Sequence, residues 1–133
     1  MLARATRRSL WLAALALAAA CNDDSLAPFE PEIGNAADNF QFQVTALDRV
    51  SATPEYEWQN TGTTANVNQS ASLSAGSAVV VIRDAQGAQV YRRSLTENGT
   101  FQTQAGTAGR WRIRVELAGA SGAVNFRVQR RTP

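Results

Sequence analysis

The chain has 133 residues, about one domain's length, with 13 basic residues, 11 acidic residues, no His and one Cys; every basic residue is Arg. Without His or Lys there is no imidazole base or ligand and no amine for Schiff-base chemistry. A single Cys excludes an intramolecular disulfide and a zinc site built from several thiolates.

The first twenty residues have the pattern of a targeting segment. Residues 1–9 carry Arg4, Arg7 and Arg8 and no acid, and residues 10–20 (LWLAALALAAA) are continuously apolar. At ~1.5 Å per residue this apolar segment covers roughly half of a ~30 Å hydrocarbon core, so it is too short to span a membrane. A basic start, a short apolar segment and small residues at its end predict a secretory signal peptide over residues 1–20.

The only Cys follows this segment directly, in the sequence LAAAC at residues 17–21. The stretch resembles the bacterial lipobox, although Ala18 stands where that motif usually has Leu. The resemblance implies that Cys21 is lipidated and anchors the protein in a membrane of the bacterial cell envelope, with the outer membrane expected; further acyl chains would make the anchor stable. Ala18 and Ala20 also fit the rule for ordinary signal peptidase, so a periplasmic or secreted form stays open.

Cleavage would change the charge balance. Removing residues 1–20 removes three Arg and no acid, which leaves 10 Arg against 11 acids. The basic balance of the whole chain therefore belongs to the signal peptide, and we expect no nucleic-acid partner. Residues 21–57 hold eight acids and one Arg, whereas residues 58–133 hold nine Arg and three acids.

Residues 21–39 contain Pro28, Pro31, Gly34 and several acids, and they show no periodicity. This composition predicts a lipidated Cys followed by a flexible acidic tether.

From Phe40 onward, apolar and polar residues alternate in several segments, which is the pattern of half-buried strands. The clearest segments are residues 40–46, 56–59, 110–117 and 124–129, and the apolar run 78–82 indicates an inner strand. Turn residues separate these segments. We therefore predict an all-β domain over residues 40–133, an antiparallel β-sandwich of seven or eight short strands, Ig-like or jelly-roll-like.

The last two segments predict a hairpin. A two-residue turn at Ser121-Gly122 would place Leu117 opposite Phe126 and Glu116 opposite Arg127. This part of the chain is similar to the closing hairpin of β-sandwich modules of the pre-peptidase C-terminal and P-domain types, and the whole chain resembles small bacterial envelope lipoproteins. The resemblance implies an accessory, non-catalytic module.

Five outward-facing arginines are the candidate site: Arg110, Arg112, Arg114, Arg127 and Arg130. A planar guanidinium group can donate two hydrogen bonds at once to a phosphate or carboxylate. These residues predict an anion-binding face for an anionic envelope polymer, lipid headgroups or another envelope protein. The alternative is a solvated strand face that protects a sheet edge from aggregation.

Other candidate residues have structural interpretations. Tyr56 and Trp58 could form a sugar-stacking platform, but we expect them, like Trp111, to lie in the core. Asp48, Asp84, Glu97 and Asn98 could offer oxygen atoms to calcium, but their spacing matches no calcium loop, and we expect turn residues. No metal or cofactor is predicted.

The sequence thus predicts a lipid-anchored β-sandwich protein of the cell envelope with a non-catalytic binding or structural role. The alternative is a secreted accessory or inhibitor module that acts on another exported protein. A small envelope enzyme comes third, because it would need a cleft that joins two carboxylates.

Overall fold

The computed structural model describes residues 24–132. A short 3₁₀ helix (Asp24–Phe29) precedes seven strands: β1 (Glu32–Ala36), β2 (Asn39–Ala52), β3 (Glu55–Asn60), β4 (Ala65–Arg83), β5 (Gln89–Ser94), β6 (Gly99–Gln102) and β7 (Gly109–Arg130). Every strand pair is antiparallel. The predicted all-β antiparallel sandwich is confirmed.

The two long strands, β4 and β7, pair from Ala65 opposite Arg130 to Arg83 opposite Arg112. Their two halves have different neighbours. In layer 1 the order is β1-β2-β7-β4-β6, built on residues 65–73 of β4 and 122–130 of β7. In layer 2 the order is β3-β7-β4-β5, built on residues 78–83 of β4 and 109–117 of β7. One folded sheet therefore supplies both layers of the sandwich.

Glycines form the corner between the layers. The β4–β7 register shifts between Leu73 and Ser77, and Gly76 and Gly122 have positive φ angles of 78° and 131°. A Cβ atom on Gly122 would lie 2.1 Å from the carbonyl oxygen of Ser72, and one on Gly76 would lie 2.1 Å from that of Gly119. Only glycine lets the two backbones approach this closely while both strands change direction.

The predicted hairpin at Ser121-Gly122 is wrong. Strand β7 continues through these residues, and Glu116 forms ion pairs with Arg92 and Arg114 rather than facing Arg127. A glycine between two alternating segments marks either a turn or a bend within one strand, and the long partner β4 selects the bend. The hairpin that carried the similarity to the protease-associated modules is therefore not formed.

Aromatic side chains join the inner faces of the two layers. Tyr56 of layer 2 lies 5.4 Å from Phe40 and 6.1 Å from Phe42 of layer 1, measured between ring centroids. Trp58 and Trp111 meet edge to face at 6.0 Å, and at most 1% of either residue is exposed. The prediction of a core position is confirmed for Trp58 and Trp111, while Tyr56 is partly buried and packs against the core. The inner strand at residues 78–82 is also confirmed.

The tether predicted over residues 21–39 is, from Asp24 onward, part of the folded domain. Leu26 is buried at 4% exposure, Phe29 packs against the core, and β1 pairs with β2 from Glu32 to Ala36. Strand β1 is an edge strand whose side chains are all exposed, so it is held by backbone pairing and leaves no hydrophobic pattern in the sequence. Cys21 and the predicted signal peptide lie outside the described residues.

No helix within residues 24–132 has the length and apolar character that crossing a membrane requires.

Candidate functional site

The structure divides the five predicted arginines between the layers. Arg110, Arg112 and Arg114 lie on the outer face of layer 2, whereas Arg127 and Arg130 lie in the layer 1 half of β7. The corner in β7 separates the two groups. The predicted single stripe is therefore two separate surfaces.

The two arginines of layer 1 have partners that serve the fold. Arg127 donates to the side-chain oxygen of Gln41 at 3.1 Å, and Arg130 donates to the hydroxyl of Thr61 at 2.6 Å. Arg130 also lies 3.8 Å from a carboxylate oxygen of Asp38. The backbone N–H of Thr61 is the main cause of the lowered pKa of Asp38, and the Thr61 hydroxyl and Arg130 lower it further. Arg130 thus links the end of β7 to the β1–β2 turn and the loop after β3.

The outer face of layer 2 is rich in charged residues. Arg110 lies 3.7 Å from Glu57, while Arg92 and Arg114 share Glu116 at 3.3 and 3.0 Å. Arg92 was not among the predicted site residues. It reaches this face because β5 pairs with β4, a pairing that sequence reasoning did not assign.

Arg83 and Arg112 stand directly opposite each other on β4 and β7. Within residues 24–132 neither guanidinium group has a carboxylate oxygen within 4.0 Å, and Arg83 makes only a long hydrogen bond of 3.4 Å to the carbonyl of Gly87. Like charges that face each other across two strands destabilise a sheet. Sequence reasoning identified Arg112 and missed Arg83, because the register that joins them comes from the full pairing of the long strands.

These two arginines line an open groove of about 790 Å³. Strands β3 and β7 form its floor, with Glu57 and Arg110 beside the pair, and the turn of residues 84–87 forms one wall. The groove lies at the end of the sandwich where β7 begins, which is opposite the glycine corner.

Asp84, at the start of this wall, holds the turn together. Its carboxylate accepts hydrogen bonds from the backbone N–H groups of Gln86 and Ala88 at 2.9 Å and of Thr107 at 2.8 Å. The bond from Thr107 is the largest cause of the lowered pKa of Asp84, followed by that from Ala88. The prediction that Asp84 is a turn residue is confirmed.

Three carboxylates line the groove, those of Glu55, Glu57 and Asp84. Acid–base hydrolysis of the glycosidase type needs one carboxyl group that is held protonated. Asp84 is held in the ionised form, and Glu57 has Arg110 beside it. Asp84 therefore does not provide the protonated carboxyl group that such hydrolysis requires.

The other candidate calcium ligands contact the protein itself. Glu97 forms an ion pair with Arg93 at 2.7 Å, and the side-chain oxygen of Asn98 accepts the backbone N–H of Ala71 at 3.0 Å. No three acidic side chains in the described part of the chain are grouped so that they could hold a metal ion.

Gln69 is a buried polar residue that the sequence analysis did not identify. Gln69, 1% exposed, donates to the carbonyls of Ser94 and Glu97 at 2.6 and 2.8 Å and accepts the hydroxyl of Tyr91 at 2.8 Å. Burial raises the pKa of Tyr91 to about 12, so this hydroxyl stays a donor. Gln69 holds the β5–β6 connection on β4, and the alternation of Val67, Gln69 and Ala71 is the sequence signal that it points inward.

Comparison of the sequence with models of protein families finds no match, and comparison with curated proteins finds none either.

Proposed function

We propose that this protein is a bacterial envelope lipoprotein, in which lipidated Cys21 holds a non-catalytic β-sandwich at a membrane surface and the sandwich binds an envelope partner. The lipobox-like residues 17–21 support the anchor. The observation that carries the proposal is that Leu26, only five residues after Cys21, is already part of the core. The five residue steps from Cys21 to Leu26 extend at most ~18 Å, so a lipid on Cys21 would hold the domain close to the membrane.

The entry point of the chain supports a defined orientation. Strand β1 begins with Glu32 opposite Gln43, on the corner side, and ends with Ala36 opposite Asn39, at the other end of the sandwich. Glu30 and Glu32 lie beside Thr45, again on the corner side. An anchor that precedes this segment would place the corner nearest to the membrane. The arginine groove would then face away from the membrane, toward a partner.

Metabolic labelling with a radioactive fatty acid, followed by membrane fractionation, tests the anchor. The wild-type chain should be labelled and found in the membrane fraction. Cys21→Ser should be unlabelled, and it should either remain an uncut precursor or appear in the soluble fraction. The double variant Cys21→Ser/Ser25→Cys is the matched control: it restores a thiol four residues later, outside the lipobox, and should also stay unlabelled.

Two outcomes would contradict the anchor. A Cys21→Ser variant that stays in the membrane fraction with unchanged processing would show that another feature holds the protein there. A soluble, unlabelled wild-type chain that begins at Cys21 would instead favour the secreted accessory or inhibitor module.

A further inference from the structure

We propose that the groove of layer 2 is a binding site for an oxyanion, a phosphate or carboxylate group of an anionic polymer, and that Arg83 and Arg112 hold it between them. Residues directly opposite on antiparallel strands have Cα atoms ~4.5–5.5 Å apart, so both guanidinium groups can reach one anion. Each can donate paired hydrogen bonds to phosphate or carboxylate oxygens. The site belongs to the sandwich itself and does not depend on the lipid anchor.

The distribution of acidic partners on this face points to these two residues. Glu116 forms ion pairs with both Arg92 and Arg114, and Glu57 forms one with Arg110. Asp84, the acid in the groove wall, turns its carboxylate toward three backbone N–H groups. On β3, Glu55 and Glu57 stand opposite Arg114 and Arg112 in the register. Even so, within the described residues no carboxylate oxygen lies within 4.0 Å of Arg83 or Arg112. An external anion would supply the missing countercharge.

Protection of a sheet edge does not account for the pair. Charged side chains commonly guard edge strands against pairing with other chains. In layer 2, however, β7 lies between β3 and β4, and β4 lies between β7 and β5. Arg83 and Arg112 therefore stand in the middle of the sheet, where two opposed cations lower stability without protecting an edge.

Arg110 is a third cation in the groove, and it would favour a ligand that carries several anionic groups. Arg110 precedes Arg112 by two residues on the same face of β7, a spacing of ~6.8 Å, and also lines the groove. A polymer that presents a second anionic group at this distance could displace Glu57 from Arg110, whose separation of 3.7 Å is that of a loose ion pair. We therefore expect chains of anionic groups to bind more tightly than single anions.

The test uses the chain from Cys21 onward without lipid, which contains every core residue of the described structure. The Nε–Hε resonances of its arginines are followed by NMR during titration with inorganic phosphate, polyphosphate and oligogalacturonate at constant ionic strength. Saturable shifts are expected first at Arg83 and Arg112. The phosphate and carboxylate arms show which class of polymer fits the groove.

Arg83→Gln and Arg112→Gln should each weaken binding about tenfold, because each removes charge-assisted hydrogen bonds. Arg127→Gln is the matched control, since it removes a charge of the same strand from the outer face of layer 1, and it should change affinity less than about twofold. Without ligand, Arg83→Gln should melt ~1–5 °C higher than the wild-type chain, because it relieves the repulsion from Arg112, and Gln89, its neighbour on β5, is uncharged.

Three results would overturn the site. The first is the absence of a saturable shift with all three probes. The second is an equal loss of affinity in Arg127→Gln, which would show attraction to net charge alone. The third is a lower melting temperature for Arg83→Gln in the absence of ligand, which would show that the fold already satisfies this arginine. A failure of fatty-acid labelling would leave each of these results unaffected.

Discussion

The two layers of the sandwich are built from the same two long strands, yet their outer faces differ. On the outer face of layer 1 the paired segments 39–44, 65–73 and 122–129 carry mainly amides and hydroxyls, with one charged side chain, that of Arg127. The amide and hydroxyl residues of this face include Gln41, Gln43, Asn66, Asn68, Ser70, Asn125 and Gln129. On the outer face of layer 2 the same strands, with β3 and β5, carry five arginines and three glutamates.

The inner faces, by contrast, are alike. Phe126 and Val128 in layer 1 and Trp111 and Ile113 in layer 2 are all at most 1% exposed. Burial of apolar area therefore fixes one side of each strand in the same way in both layers. The other side is free to differ: layer 2 presents a charged outer surface, whereas the outer surface of layer 1 is polar with few charges.

The largest expected effect comes from comparing a substitution on the buried side of β7 with one on its exposed side. Trp111→Ala should lower the free energy of unfolding by ~3–5 kcal/mol, because it empties a fully buried site that contacts Trp58 and removes the indole bond to the carbonyl of Thr107. Chemical denaturation measures this loss. Arg112→Ala, at the next position, should change the free energy of unfolding by less than ~0.5 kcal/mol. A larger loss of stability in Arg112→Ala than in Trp111→Ala would mean that Arg112, and not Trp111, faces the core.

The second effect tests the corner that lets one strand serve both layers. Gly122→Ala should lower the free energy of unfolding by ~2–4 kcal/mol, because the new Cβ meets the backbone of Ser72 and the residue has a positive φ of 131°. Gly87→Ala is the control: its φ is also positive, at 88°, but no atom lies within 4 Å of the added Cβ. It should cost only ~1 kcal/mol. Equal losses would mean that backbone strain, not close approach, requires the glycine.

The corner also marks where sequence reasoning fails. The alternation on either side of Gly122 predicts which residues face the core, and the structure confirms this for Trp111, Val115 and Phe126. The alternation does not tell whether the chain reverses at Gly122 or continues, because both arrangements keep the apolar residues inside. The choice depends on β4, whose pairing partner lies about fifty residues away in the sequence.

The candidate site was only partly predictable for the same reason. The outward direction of Arg110 and Arg112 follows from the alternation within β7. The opposition of Arg83 and Arg112 follows from the β4–β7 register, which has no local signal. The start of the domain was missed because β1 is held by backbone hydrogen bonds and buries little apolar surface.

The third effect tests whether layer 1 includes the segment before β1. Leu26→Ala should lower the free energy of unfolding by ~2–3 kcal/mol if this side chain is packed as the structure has it, at 4% exposure. Ile33→Ala, a substitution in the exposed edge strand, should cost less than ~1 kcal/mol. Urea denaturation of both variants measures the difference. If Leu26→Ala leaves the free energy of unfolding unchanged, the segment before β1 is a tether and not part of the core.

The smallest effect separates the charges of layer 2 that serve the fold from those available to a ligand. The hydrogen bonds from Thr107 and Ala88 lower the pKa of Asp84, so they stabilise the fold above the pKa of the unfolded carboxyl, ~3.9, and this contribution is lost as the pH falls through the lower folded value. Asp84→Asn should therefore have a lower melting temperature than the wild-type chain at pH 7. This gap between the two melting temperatures should close toward pH 2. Asp48→Asn is the control, because the Asp48 side chain is 74% exposed and contacts only Arg49 across 3.5 Å; its gap should stay near zero throughout. A gap for Asp84→Asn that does not change with pH would show that the ionised carboxylate does not hold the groove wall.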